Sequence, residues 1–372
     1  MPMRLPSAHP LTRVLTARVP GVSAFALAAL MPVPLLLAGS LVGGLWPWVA
    51  LGYLTALTWV MDTLVARAAP DAAEGVEFPA ADGLSVALGL AHLVLLAVAV
   101  TVLAGGHLTW PERIGVFLGH GIFFGQISNA NAHELIHRGS RLLHGLGVAV
   151  YTSLLFGHHA SAHRLVHHRA VATDGDPNSA PLGVGFYRFA PRAWLGSFRA
   201  GLAAEQALCA RQPGRLNPYV VYVGGGLGIL LAVGMVLGLR GVIDYVLLCG
   251  WAQAQLLLSD YVQHYGLRRH HLPNGRFEPV GPAHSWDAPH PFSSLLMLNA
   301  PRHSDHHAHP ARAYPGLRLN LDSQPPAARP MLPASLPMMA TLALWPRRWR
   351  RTMDPRVRAL EALRQPAPSG EG

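Results

Sequence analysis

The sequence predicts an all-α integral membrane protein with about six transmembrane helices and a cytoplasmic helical cap carrying a polyhistidine site. Three observations predict it. Of the 372 residues, 13% are charged and 51% apolar, whereas a water-soluble domain is nearer a quarter charged. Six apolar runs reach the roughly 20 residues needed to cross a bilayer. Finally, the chain holds 21 histidines, and nine of them gather in patterned groups between and just beyond those runs.

The elements follow in order. Residues 1–21 form a tail with Arg4, Arg13 and Arg18. The span 22–132 holds the first four crossings, at about 22–43, 46–66, 84–104 and 113–132, with Gly44 and Pro47 turning the first pair. The segment 133–217 is longer than an ordinary loop and needs helices of its own. Its apolar stretch 142–157 is too short to cross, so it lies in the interface or dips part-way. The last two crossings, 218–239 and 241–262, fall within 218–263 and are separated at Arg240 and Gly241. A segment of further histidines, 264–364, follows, and the Pro/Ser/Gly-rich end 365–372 is expected to be disordered. No short apolar stretch with a small-residue cleavage site precedes the first crossing, so no removed signal peptide is expected.

Arginine sets the orientation, because basic loops stay in the cytoplasm. All 29 basic residues are arginine; nine lie in 133–217 and fourteen after 263. The loop between the second and third crossings holds Arg67 amid Asp71, Glu74, Glu77 and Asp82 and gives no direction. An even number of crossings then puts both termini in the cytoplasm, at the inner membrane if the source is bacterial. The net charge of +10 follows the loops and is not interleaved with aromatics, which argues against nucleic-acid binding. Cys209 and Cys249 form no CxxC, so an iron–sulfur or rubredoxin-type site within this chain is excluded.

The first histidine group is His133-Glu134-Leu135-Ile136-His137. On a helix, residues i and i+4 share a face, so both rings can reach one metal. Zinc proteases carry the same string, and alone it decides little. The second group is His163, His167 and His168. There, an α-helical turn puts His163 with His167 and swings His168 about 100° away, towards a second metal. His264 closes the sixth crossing, and the third group is His303, His306 and His307. All fall on the cytoplasmic side. Nine imidazoles exceed the four ligands of a structural zinc site and suit two ions. Iron is favoured if dioxygen is activated, since zinc has no redox chemistry. Imidazole ligands usually donate their other N–H to a carboxylate or carbonyl; Glu134, Asp260 and Asp305 are the nearest candidates, each equally readable as a solvated charge. Of the remaining histidines, His158 and His159 lie close to the second group.

These strings, with His264-Tyr265-Gly266 and Arg302-His303-Ser304-Asp305-His306-His307, resemble the histidine boxes of membrane-bound alkane 1-monooxygenases within the membrane fatty acid desaturase/hydroxylase superfamily. Similar too are 183–205, His284-Ser-Trp-Asp-Ala-Pro289, 307–318 and Met353-Asp354-Pro355-Arg356-Val357, so the likeness runs from roughly 20 to 360. The resemblance implies two non-haem irons held by His133, His137, His163, His167, His168, His264, His303, His306 and His307. The family usually has Glu before the first histidine of the second box and Gly before its paired histidines; here Ala162 and Val166 stand there. Asp62 also matches a family position.

The implied reaction inserts one atom of dioxygen into a C–H bond of an apolar substrate from the bilayer, commonly the terminal methyl of an alkane. The second span holds Trp46, Trp48, Tyr53 and Trp59, which either limit chain length or sit at the membrane interface. Electrons would come from a rubredoxin- or ferredoxin-type carrier with its reductase. An arginine-rich surface that includes Arg347, Arg348, Arg350 and Arg351 suits an acidic carrier and equally suits anionic membrane lipid. Three other readings stay open: a fatty-acid desaturase or aryl-methyl hydroxylase with the same metals, an intramembrane zinc protease using only the HExxH, and a metal transporter or storage protein.

Overall fold

The computed structural model describes residues 20–65, 68–321 and 329–364. Most of the 1–21 tail, Arg67 and the 365–372 end expected to be disordered lie outside the described residues. Among the described residues there are two isolated β-bridges and otherwise helices, turns and loops.

Helices occupy all six apolar runs. The first is Val22–Leu30 followed by Pro32–Leu41, interrupted at Met31 because Pro32 cannot donate a helical hydrogen bond. The second runs from Trp46 to Leu64 through a π-helical turn at Tyr53–Leu57. The third, Ala80–Ala104, is continuous. The fourth runs from Trp110 through a π-helical Phe123–Ser128 to Asn129–Ile136. It begins at a capping box in which Thr109 and Glu112 satisfy each other's backbone donors. The second oxygen of Glu112 accepts the Gly44 N–H at 2.5 Å, which pins the first hairpin turn to the start of the fourth run.

The final pair forms one assigned helix, Tyr219–His264, broken only at Gly238, whose φ of +66° no helix contains. The break therefore precedes the expected Arg240–Gly241 position, and Arg240 starts the returning arm. Three of these helices, Val22–Leu41, Ala80–Ala104 and Tyr219–His264, are long and apolar enough to cross a membrane. Their outward faces fit that medium: Leu231, Met235, Val236 and Leu239 are all more than 60% exposed at the hairpin tip, an apolar surface that water does not tolerate at this extent.

Polar contacts tie the bundle internally, as hydrocarbon demands. His92 Nε2 lies 2.9 Å from Ser153 Oγ, Tyr245 donates to the Ser153 carbonyl at 2.6 Å, and Asn131 to the Ser85 carbonyl at 2.8 Å. Two glycines of the fourth run permit close approach of the last helix. A Cβ on Gly121 would lie 2.0 Å from Trp251, and one on Gly125 2.6 Å from Gln255. The stretch 142–157 is a helix over Arg141–Ser153 that packs on Asn129–Ile136. The remaining long helices are Phe186–Arg211 and Pro346–Arg364.

Candidate metal centre

Four segments bring nine imidazoles to one place. His133 and His137 stand at the end of the fourth run. His163 to His168 follow the Arg141–Ser153 helix, His264 is the last residue of the long carboxy-terminal bundle helix, and His303, His306 and His307 ride on the six-residue helix His303–Ala308. That helix is too short to be stable alone. It is held by its neighbours: buried Arg302 bonds Asp71 at 2.6 Å and the carbonyls of Leu317 and Ala69. Asp287 accepts both the N–H and the hydroxyl of Ser304, and Asp305 is clamped by Arg312 and by the Arg318 N–H at 3.0 Å.

The rings form two groups. His133, His137, His163, His168 and His306 offer five donor atoms, and His167, His264, His303 and His307 offer four, with the atoms of each group all within 4.8 Å of one another. The Nε2 atoms converge: His133 and His168 approach His163 to 2.7 and 2.8 Å, while His264 and His307 approach His303 to 3.0 and 3.1 Å. The groups adjoin, the rings of His168 and His307 lying 4.6 Å apart.

This corrects the expected pairing within the second box. His163 groups with His168, and His167 with the other set. The physical reason is a π-helical turn over His163–His167. Its i→i+5 bonding rotates each residue by less than an α-turn, which swings His168 round towards the face of His163, while the Asp176 bond holds the His167 ring towards the other set.

The donor set fits a pair of metal ions. Metal–imidazole bonds are about 2.0–2.1 Å, so donors around one ion stand about 3 Å apart when adjacent and about 4 Å when opposite; the donors here lie within 4.8 Å of one another, the nearest at 2.7–3.1 Å. Nε2 of His137 and Nε2 of His167, one in each group, are buried without a hydrogen-bond partner. Burial also keeps the rings neutral with their lone pairs free. It pushes His133 down to about 3 and carries His163, His303, His306 and His307 well below the usual histidine range, with neighbouring rings adding to the effect.

His167 is the exception. Burial disfavours its cation, but Asp176 outweighs that and raises it. Asp176 is itself buried, which works against its charge, yet His167 and the Ser179 hydroxyl hold it below the usual carboxylate range. The pair is 2.8 Å apart, Nδ1 to Oδ2. The sequence reading missed Asp176. The signal was present in Asp174-Gly-Asp176-Pro-Asn178, a carboxylate-rich turn soon after the second box.

The three carboxylates named beforehand sit differently. Among the described residues none of them bonds one of the nine rings. Glu134 pairs with Arg138 at 2.7 Å and accepts the Tyr314 N–H at 3.1 Å, Asp260 accepts from Asn178 at 2.5 Å, and Asp305 serves Arg312, Arg318 and His309. They are one step too far from the rings because each is taken by a nearer donor. His264 instead orients its Nδ1 on the carbonyl of His284, 3.2 Å away. Asp62 accepts the Ser293 N–H at 3.0 Å. His158 is packed among Phe156, Trp194 and Phe198, whereas His159 lies beside His163 and lines a small cavity with His133, His163 and His303.

A helical bundle with lipid-compatible faces and nine converging imidazoles defines a polyhistidine metal-binding protein of the membrane type. Residues 107–342 match the family model for fatty acid desaturase. Alkane 1-monooxygenase 2 of Pseudomonas aeruginosa is 32% identical over 329 residues, covering 85% of each chain. Alkane 1-monooxygenase 1 of the same organism is 31% identical over 74% of this chain and 75% of its own. Alkane 1-monooxygenase 2 of Alcanivorax borkumensis is 29% identical over 84% and 83%. The chain belongs to the fatty acid desaturase family, and within it resembles the alkane 1-monooxygenases.

Proposed function

We propose that the protein is a di-iron monooxygenase that hydroxylates an apolar molecule drawn from the bilayer, with the terminal methyl of an alkane as the first candidate. One observation carries the reading: an apolar cleft lies beside the imidazole cage. The cleft, of about 450 Å³, is lined by Leu54, Trp59, Ile122, Trp251, Leu258 and Met297 among others. It shares the walls Gln126, Ser259 and Met297 with the small cavity lined by His133, His163 and His303. The similarity to alkane 1-monooxygenases over most of the chain points the same way.

His133, His137, His163, His168 and His306 would hold one iron, and His167, His264, His303 and His307 the other. Bound iron would supply the redox chemistry that activates dioxygen. The chain supplies position and dryness. Asp176 and the His284 carbonyl fix two rings with Nε2 turned inward, and the apolar cleft walls would receive an apolar substrate. Overall, RH + O2 + 2e⁻ + 2H⁺ gives ROH + H2O, the electrons coming from a rubredoxin- or ferredoxin-type carrier.

The six helical runs would all cross the membrane, with both termini and the histidine segments 133–217 and 264–364 on the cytoplasmic side. Expression with a rubredoxin and its reductase, a mixed feed of alkanes, aryl-methyl compounds and fatty acids, and identification of the products tests the reading. A terminal alcohol from an alkane is expected; an alkene from an acyl chain would establish a desaturase instead.

A further inference from the structure

The small cavity beside the cage has a polar wall that the metal reading leaves unused. It holds about 30 Å³, room for one or two water-sized groups. Besides three cage rings, its lining includes Gln126, Asn129 and His159. His159 is 3% exposed and makes no side-chain hydrogen bond among the described residues; its Nδ1 is buried with no partner. The ring packs on Tyr151 and Phe156 and stands 5.2 Å from the His163 ring, centroid to centroid, yet it joins neither donor group. Burial carries it well below the usual histidine range, so it stays neutral, with one N–H and one lone pair.

Gln126 lines both this cavity and the apolar cleft. Its orientation is set by a chain of bonds. Gln255 Nε2 donates to the Gly121 carbonyl at 2.7 Å, so Gln255 Oε1 is the atom left to accept from Gln126 Nε2, at 3.1 Å. Gln126 Oε1 is thereby turned away from its neighbour, buried and without a donor. Asn129 accepts the Tyr151 hydroxyl on its Oδ1 at 3.1 Å, which leaves its NH2 free to donate.

We propose that this cavity is a hydroxyl-binding subsite, and that the substrate is an apolar chain bearing one hydroxyl at the end that reaches the cage. The chain itself would lie in the cleft that shares Gln126, Ser259 and Met297 with the cavity. The proposal rests on the hydroxylase reading above and narrows its substrate. A hydroxyl both donates and accepts, so it matches an acceptor on Gln126 and donors on Asn129 and His159. A ketone could only accept. A carboxylate would meet no arginine among the lining residues and would meet Asp260 instead, and a buried charge without a partner is costly. A plain alkane would leave the polar groups unpaired, and a site built to bond a hydroxyl discriminates strongly against the analogue that lacks it.

Binding is measured on the full-length, iron-loaded protein in phosphatidylcholine nanodiscs, oxidised and without an electron carrier, so that no turnover occurs. The probes are tritiated 1-dodecanol, dodecane and dodecanoate, each corrected for uptake by empty discs. 1-Dodecanol should bind about tenfold or more tighter than either of the others. His159→Phe and Gln126→Leu should each weaken 1-dodecanol about tenfold and leave dodecane within about twofold, while His159→Gln, which still donates and accepts, should keep most of the preference. Gln126→Leu decides alone if circular dichroism shows His159→Phe to be unfolded. Equal affinities for alcohol and alkane in the wild type would overturn the subsite, as would a preference untouched in both folded variants. Adding reduced rubredoxin and its reductase separates this proposal from the reading it rests on. Oxygenation of dodecane with no preference for the alcohol would remove the subsite and leave the hydroxylase standing. Selective, His159-dependent binding of 1-dodecanol with no oxygenated product from any probe would remove the hydroxylase and leave the subsite.

Discussion

Oδ2 of Asp176 lies 2.8 Å from Nδ1 of His167, and both side chains are buried. Ser179 and the Asn178 N–H bind the same carboxylate, so its position is fixed from two further sides. A hydrogen bond at Nδ1 selects the tautomer whose Nε2 lone pair is free. That nitrogen is the unpartnered atom facing the four-imidazole group.

Asp176→Asn should therefore weaken metal binding about 10–100-fold, measured by competition with a chelator. Asp176→Glu should recover part of it. Retention equal to wild type in the Asn variant would show that the carboxylate has no part in holding the ring.

The grouping of rings makes a stoichiometric prediction. His167→Ala with His303→Ala removes half of the four-donor group and leaves the five-donor group whole, so iron per chain should fall to about half by elemental analysis. His163→Ala with His167→Ala takes one donor from each group and should weaken both. Identical iron contents and affinities for the two pairs would contradict the grouping.

Arg302 is buried and bonds Asp71 and two carbonyls. Replacing one partner of a buried pair strands the other groups, a loss of about 3–5 kcal/mol. Asp71 keeps a quarter of its side chain in solvent, which places Arg302→Met near the lower figure. Thermal unfolding in detergent, followed by circular dichroism, should show the fall, together with loss of metal.

Asp287 lies outside the apolar runs and burial pushes it up to about 7, the two bonds from Ser304 and the charge of Arg329 opposing this. The folded state then binds a proton more tightly than the unfolded chain, whose carboxyl titrates near 3.9. Its contribution to stability is present in full below about pH 4 and declines as pH rises to about 7. In metal-free protein, Asp287→Asn should flatten that decline. An unchanged slope of stability against pH between 4 and 7 would refute the assignment.

Much of the fold could be read from the chain because lipid imposes a coarse rule: long apolar runs become helices, and Gly44, Pro47 and the arginines punctuate them. The histidine boxes were equally readable, since the residue type is uncommon and each box is local. What escaped reading had two causes. The π-helical turn at His163–His167 changes which rings share a face by a small difference in winding, and no periodicity in six residues reports it. Asp176, and Arg302 with Asp71, matter through contacts 9 and 231 residues apart in sequence, and such pairings leave no local pattern. Glu134, Asp260 and Asp305 were nearest along the chain, but nearness along the chain did not decide which carboxylate met a ring.

The cage draws its walls from segments spread between His133 and His307, and the last of them stands on a short helix clamped by Asp71 and Asp287. A ribosome delivering this chain from its amino end would have made every apolar run before the third box emerged. Neither donor group is complete until His306 and His307 have been made, so capture of a metal in either group would belong to the closing stage of biogenesis. A chain truncated before that point would reach the bilayer with most of its imidazoles in hand and no closed pocket to keep a metal.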